Sequence, residues 1–220
     1  MRNVMRSYGL ARRLVHAAAV ILLIGLAFAA RPAFAQEKLI VAFGDSLMAG
    51  YGVKPAEGFA PQLQAYLRAN RIPARVHNAG VSGDTSAAGR ARLGWVLRSL
   101  RAKPDLVILE LGANDMLRGL TPRQTRANLD AMLTEFKRRG IPVLLAGMRA
   151  SPNMGRDYQR AFDGIYPALE RKHGVPLHPF FMQGVAANRP LLLRDGMHPN
   201  ARGVSVIVRA IAPRVRDALR

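Results

Sequence analysis

The stretch "KLIVAFGDSL", from Lys38 to Leu47, runs from a short apolar segment directly into a polar turn. Continuous rather than alternating hydrophobicity in so short a segment is typical of a strand buried on both faces. Four further runs of the same kind begin at Ala74, Asp105, Pro142 and Val175. Segments with helical spacing separate all five. Strands that alternate with helices predict a three-layer α/β/α domain with a five-stranded parallel sheet.

Residues 1–35 have the layout of a secretory signal peptide. Several arginines precede an apolar run from Ala17 to Ala30, and the small-residue motif "AFA" ends at Ala35. The run is shorter than the roughly 20 residues of a membrane-spanning helix, which favours cleavage after Ala35 over a retained anchor. We therefore expect a periplasmic or secreted protein that consists of one domain, residues 36–220, with no second membrane segment.

The chain is strongly basic, with 33 Lys and Arg against 14 Asp and Glu and a formal net charge of +19. Such a balance could favour nucleic acid, anionic lipid or an acidic cell envelope. The arginines are scattered, however, and no recognised nucleic-acid module accompanies them. We interpret most of the charge as solvated helix faces and expect no nucleic-acid partner, while peripheral contact with anionic lipid stays open. Cysteine is absent, which excludes thiol chemistry and metal sites built on cysteine.

Polar clusters stand where the predicted strands end. In open α/β sheets, ligands bind beyond the carboxyl ends of the strands, so these clusters should share one rim. They are "GDSL" at 44–47, "NAGVSGDT" at 78–85 and "GAND" at 112–115, with "DGMHPN" at 195–200 just before the last helix. The sequence therefore predicts a single site built from four separate blocks.

The residue types in these blocks fit nucleophilic catalysis. A serine hydroxyl needs a neighbouring base to take its proton, and a histidine oriented by a carboxylate is the usual base. We predict Ser46 as nucleophile, His198 as general base and Asp195 as the orienting acid. Predicted oxyanion donors are the backbone N–H groups of Ser46 and Gly83 and the side-chain amide of Asn114.

Other polar residues of these blocks are predicted to be structural. Asp45, Asp84 and Asp115 are expected to brace loops as hydrogen-bond acceptors. Pro199 is expected to be the first residue of the last helix. Trp95, Phe180 and Phe181 are predicted to lie in the core.

Together, the four blocks resemble the SGNH, or GDSL, hydrolase superfamily across nearly all of residues 38–215. The stretches "ELGANDMLRG" and "YPALERKHGVPLHPFFMQGV" are similar to the bacterial periplasmic thioesterase I, arylesterase and lysophospholipase branch. The resemblance implies a flavodoxin-like fold, no metal or organic cofactor, and hydrolysis through an acyl-serine intermediate. Ser46 lies outside any G-x-S-x-G elbow, which argues against the α/β-hydrolase fold. The substrate-facing loop of the family matches Gly147, Met148, Arg149, Ala150, Ser151 and Pro152.

The function we predict is an exported serine esterase that hydrolyses small-molecule acyl esters or thioesters, with a monomer as the default state. Two alternatives stay open: a carbohydrate acetylesterase of the same superfamily, and a non-catalytic envelope-binding module that uses the basic surface. Chain-length preference and the physiological substrate are not fixed by the sequence.

Overall fold

A computed structural model describes residues 37–220. The predicted signal peptide, residues 1–35, lies outside the described residues. Within them, one sheet has the strand order β2-β1-β3-β4-β5, and every neighbouring pair is parallel. Its strands are β1 (Lys38–Gly44), β2 (Ala74–Gly80), β3 (Leu106–Glu110), β4 (Val143–Ala146) and β5 (Leu177–His178). The predicted five-stranded parallel sheet is confirmed.

Helices cover both faces of this sheet. They are α1 (Ser46–Ala49), α2 (Phe59–Ala69), α3 (Ser86–Ser99), α4 (Ala113–Leu117), α5 (Pro122–Arg138), α6 (Arg156–Asp163), α7 (Ile165–His173) and α8 (Ala201–Ala218). Helix α2 packs against α8, and α5 packs against both α3 and α7. This arrangement is the predicted α/β/α layering, because a parallel sheet must bury both of its apolar faces. None of the helices in residues 37–220 is both long and apolar enough to cross a membrane.

The helix starts follow local capping chemistry. Thr121 and Gln124 form the capping box of α5, with Pro122 at the first helical position. The prediction for Pro199 was wrong, because α8 begins at Ala201 and Asn200 caps it. The Asn200 side-chain oxygen accepts two backbone N–H groups of the first turn, and Pro199 precedes the cap.

The core lies on either side of the central strands. β1 is buried from Leu39 to Gly44 and β3 over its whole length, whereas the edge strand β2 alternates buried and exposed residues. Phe181 is buried as predicted and Phe180 is half-buried. Trp95 is not in the core: 66% of it is exposed, because α3 turns Leu93 and Val96 toward the sheet and Trp95 away from it.

Candidate active site

The candidate nucleophile begins the short helix α1, directly after β1. Asp45 caps this helix by accepting the N–H of Leu47 at 3.0 Å. A Cβ atom on Gly80 would lie 2.2 Å from the backbone nitrogen of Ala49, so only glycine lets the end of β2 pack this closely on α1. The turn thus places Ser46 at the carboxyl edge of the sheet.

The three residues predicted as a triad come together at this edge. The Ser46 hydroxyl lies 2.9 Å from Nε2 of His198, and Nδ1 of His198 lies 2.7 Å from Asp195 Oδ2. The carboxylate of Asp195 accepts the Nδ1 proton, which leaves Nε2 as an acceptor for the serine proton. Ser46 and His198 are 152 positions apart in the chain, so tertiary packing makes this contact.

A tight hairpin holds Asp195 and His198 in this position. Leu193 donates its backbone N–H to the His198 carbonyl at 2.8 Å. Gly196, with φ +74°, makes the turn. The N–H groups of Met197 and His198 donate to Asp195 Oδ1 at 2.9 and 3.0 Å. These two bonds, with that from the imidazole, lower the pKa of Asp195 to about 2, so its carboxylate stays charged.

The predicted oxyanion donors border the serine. Within residues 37–220, neither the Ser46 N–H nor the Gly83 N–H donates to another protein group. Gly83 has φ +85°, a conformation that favours glycine. The Asn114 amide nitrogen donates to Asp45 Oδ2 at 3.1 Å and to the Asp84 carbonyl at 3.0 Å. Both of its N–H groups are therefore engaged in this state of the protein.

Arg92 on α3 supports this region, and the sequence analysis missed it. Its Nε lies 2.5 Å from the Asp84 carboxylate, and its Nη2 donates to the Gly44 carbonyl at 2.9 Å. The guanidinium also lies 4.1 Å from the centre of the Phe43 ring. Arg92 therefore ties the ends of β1 and of the second loop together. No local motif indicates this role, because an arginine in a helix is ordinarily expected to face solvent.

A second missed residue is Glu110, the last residue of β3. It is fully buried, and its Oε2 lies 3.5 Å from the Asp45 backbone nitrogen. Burial, with the negative charge of Asp45 nearby, raises the pKa of Glu110 well above its usual value. Burial also raises the pKa of Asp45 to about 6. Two buried carboxyl groups, those of Asp45 and Glu110, therefore lie behind the turn that carries Ser46.

The remaining predicted residues have different fates. Asp115 is buried and accepts from Ser86 and from Thr125, so it braces α3 against α5 as expected. In the predicted substrate loop, Gly147 and Met148 are buried, which does not favour contact of these two with a ligand. The other four are at least partly exposed: Arg149, Ala150, Ser151 and Pro152.

Tyr51, just after α1, is another residue that the sequence analysis missed. Its ring centre lies 4.4 Å from that of His198, with a tilt of 38° between the planes. The contact covers one face of the imidazole. Among residues 37–220, no group of three or more His, Asp or Glu side chains is placed to hold a metal ion.

Residues 42–206 match the sequence pattern of the GDSL-like lipase/acylhydrolase family. The chain belongs to this family. The esterase TesA of Pseudomonas aeruginosa PAO1 is 37% identical over 196 residues, which cover 89% of this chain and 96% of TesA. The thioesterase 1/protease 1/lysophospholipase L1 of Escherichia coli K12 is 40% identical over 170 residues, covering 77% and 78% of the two chains.

Solved structures agree with this membership. The crystal structure of AlinE4, an SGNH-hydrolase family esterase, superposes with a TM-score of 0.73 at 50% identity, covering 86% of this chain and all of AlinE4. The predicted GDSL/SGNH relationship and fold class are confirmed, and with them the expectation of an ester or thioester hydrolase.

Proposed function

We propose that this GDSL hydrolase cleaves acyl esters or thioesters with Ser46 as nucleophile, His198 as general base and Asp195 as orienting acid. The observation that carries the proposal is the unbroken chain of contacts from the Ser46 hydroxyl to the Asp195 carboxylate, 2.9 Å and then 2.7 Å. His198 takes the serine proton as Ser46 attacks the acyl carbonyl, then gives it to the departing alcohol or thiol. Water, activated by the same imidazole, releases the acyl group from the serine.

The charge that develops on the acyl oxygen needs donors, and we assign three. The free N–H groups of Ser46 and Gly83 already lie unpaired among the described residues. Asn114 is the third, and it must give up one present acceptor to serve. The neutral Asp84 carbonyl is the weaker of the two, so we expect the oxyanion to displace it.

The setting we propose is outside the cytoplasm, in the periplasm or the medium, with the chain acting as a monomer. The signal-like residues 1–35 support export. A single chain supplies every candidate group, so the site needs no second copy. Among the alternatives, similarity to an esterase and to a thioesterase/lysophospholipase favours acyl esters and thioesters over acetylated sugars.

Hydrolysis of p-nitrophenyl esters by three variants tests the proposal. Ser46→Ala should stay folded and lose turnover and fluorophosphonate labelling. Asn114→Ala should retain labelling but lose about a hundredfold to a thousandfold in kcat, the usual effect of one oxyanion donor. Ser82→Ala, an exposed serine in the second loop, serves as the control and should keep full activity. Undiminished turnover by Ser46→Ala would overturn the assignment.

A further inference from the structure

The exposed apolar side chains of this protein are concentrated on one face. Among residues 37–220, five large hydrophobic side chains are exposed, and four of them border the candidate site. We call these four the mouth rim: Tyr51 at 52%, Val81 at 45%, Leu117 at 59% and Met197 at 53% exposed. The fifth, Trp95, lies on the outer side of α3. Clustered exposed apolar residues mark contact surfaces, whereas single ones need no explanation.

The four rim residues come from four different segments at the same edge of the sheet: three loops and the end of α4. Tyr51 follows α1 and packs its ring against His198, and Met197 is the neighbour of that histidine. Val81 follows β2 and donates its N–H to the Gly44 carbonyl beside Ser46. Leu117 ends α4, the helix that carries Asn114. The rim residues therefore lie on elements that also carry the candidate catalytic groups.

Positive charge accompanies the rim. Exposed arginines stand at the same edge of the sheet: Arg118 after α4, Arg149 after β4, and Arg189 and Arg194 before His198. Arg118 and Arg189 also donate to backbone carbonyls of their own loops. The acids closest to the serine are engaged by neighbouring groups or buried: Asp84 binds Arg92, Asp195 binds His198, and Asp45 is buried. The other exposed side chains at this face are mainly apolar or cationic.

We propose that the mouth rim docks on an anionic lipid surface, with the apolar side chains entering the headgroup region and the arginines meeting lipid phosphates. An amphipathic cationic face binds such surfaces by apolar area and electrostatic attraction together. The inference rests on the proposed function in one respect, that the docked face carries the active serine. Docking would let an acyl chain move from the lipid to Ser46 without being exposed to water.

The opposite edge of the sheet provides an internal comparison. There, a cleft of about 590 Å³ is lined by Arg101, Lys103, Arg138 and Arg139, residues that precede β3 and β4. This edge also carries four cations, two of them paired with Glu135, but none of the large hydrophobics exposed in residues 37–220 belongs to it. Charge alone would let both edges bind lipid, whereas the proposal requires the mouth rim to dominate.

Co-sedimentation with vesicles tests the docking without any turnover. The processed protein, whose N-terminus is checked by its mass, carries Ser46→Ala as a background so that no lipid is hydrolysed. The vesicles contain diether phosphatidylcholine with or without diether phosphatidylglycerol. We expect binding to the anionic vesicles that weakens with salt. Adding Val81→Ser and Leu117→Ser together should reduce the partition coefficient about tenfold, while Trp95→Ser should leave it unchanged.

Charge variants and fluorescence complete the experiment. Arg194→Gln should weaken binding about fivefold, and Arg101→Gln, its match on the opposite edge, should not. The fluorescence of Trp95, the single tryptophan of the chain, should not shift on binding. A blue shift, equal binding to neutral vesicles, or equal losses from rim and control variants would overturn the proposal.

A final arm separates docking from an acyl groove. With Ser46 restored, Val81→Ser with Leu117→Ser should hydrolyse soluble p-nitrophenyl acetate at the parent rate but slow down on micellar esters. Equal losses on both substrates would assign the rim to substrate binding and contradict docking. If the parent protein binds vesicles but hydrolyses none of these esters, the proposed function is wrong and the docking proposal stands.

Discussion

Among single residues, Glu110 carries a titratable group that the proposed reaction does not use. Its side chain is fully buried behind the nucleophile turn, and Oε1 has no partner among the described residues. Because burial raises its pKa, Glu110 is neutral over a wider pH range than an exposed glutamate. A neutral carboxyl beside Asp45 avoids two adjacent buried charges.

This placement predicts that Glu110→Gln changes stability in a pH-dependent way. A carboxyl group whose folded pKa is raised stabilises the protein fully below its unfolded pKa, near 4.5, and that stability is lost as pH rises through the folded pKa. Because glutamine cannot ionise, the free energy of unfolding of Glu110→Gln should increase relative to that of the parent as pH rises. Urea unfolding at several pH values from 5 to 9 measures the difference.

The control for this test is Glu135→Gln on α5. Hydrogen bonds from Arg138 and Arg139 lower the pKa of Glu135 to about 2, the opposite direction. Its removal should therefore give no gain at high pH. If the free energy of unfolding of Glu110→Gln runs parallel to that of the parent at all pH values, Glu110 ionises as easily in the folded protein as in the unfolded chain.

The residues found from sequence and those missed differ in what defines them. Ser46, Asp195 and His198 lie in short motifs whose chemistry is readable locally. Arg92 and Glu110 take their roles from neighbours that are distant in the chain, and an arginine in a helix or a glutamate at a strand end carries no such signal. Tertiary contacts alone decide those roles.

At the level of elements, the start of α8 holds the hairpin with the candidate base. The Asn200 side chain caps α8 through its oxygen, and its nitrogen donates to the carbonyls of Pro190 and Leu192 at 3.0 and 3.2 Å. One side chain therefore joins the last helix to the segment that precedes Asp195. The sequence indicated a helix start here, but not which residue caps it.

Asn200→Ala should consequently reduce both stability and turnover. Loss of the cap costs about 1–2 kcal/mol, and the freed hairpin lets His198 move away from Ser46. Thr121→Ala is the matched control, because it removes the cap of α5, and neither Thr121 nor its capping partner Gln124 bonds a candidate catalytic residue. Chemical unfolding should show a loss for both variants, at least as large for Asn200→Ala, while kcat should fall for Asn200→Ala alone. An equal kcat in the two variants would contradict the positioning role.

The strands were predicted within a few residues because buried parallel strands carry an unbroken apolar signal. Faces of helices were less certain. Trp95 was assigned to the core from its type, yet the phase of α3 directs Leu93 and Val96 inward and leaves Trp95 outside. Gly164 separates α6 from α7, a break that the helical spacing of the apolar residues alone does not predict.

Across the whole molecule, several groups make stability depend on pH, and they act in opposite directions. His178, at the end of β5, is fully buried, and neither ring nitrogen has a partner in residues 37–220. Burial, aided by the positive charge of Arg214, lowers the pKa of His178 to about 4. Burial raises the pKa of Asp45 to about 6, which has the reverse effect over part of the same range. The pH dependence of the parent's stability therefore does not by itself give the contribution of His178.

Comparison with His178→Leu isolates it. A histidine with a lowered folded pKa is neutral in the folded protein, so stability is full above its ordinary pKa of 6.5 and is lost as pH falls toward 4. The parent should lose up to about 3 kcal/mol more than His178→Leu between pH 7 and pH 4. Urea unfolding of both proteins at these two pH values measures the difference. His77→Leu, which replaces an exposed histidine on β2, should keep the pH dependence of the parent. A constant gap between parent and His178→Leu would show that His178 protonates in the folded state at no cost.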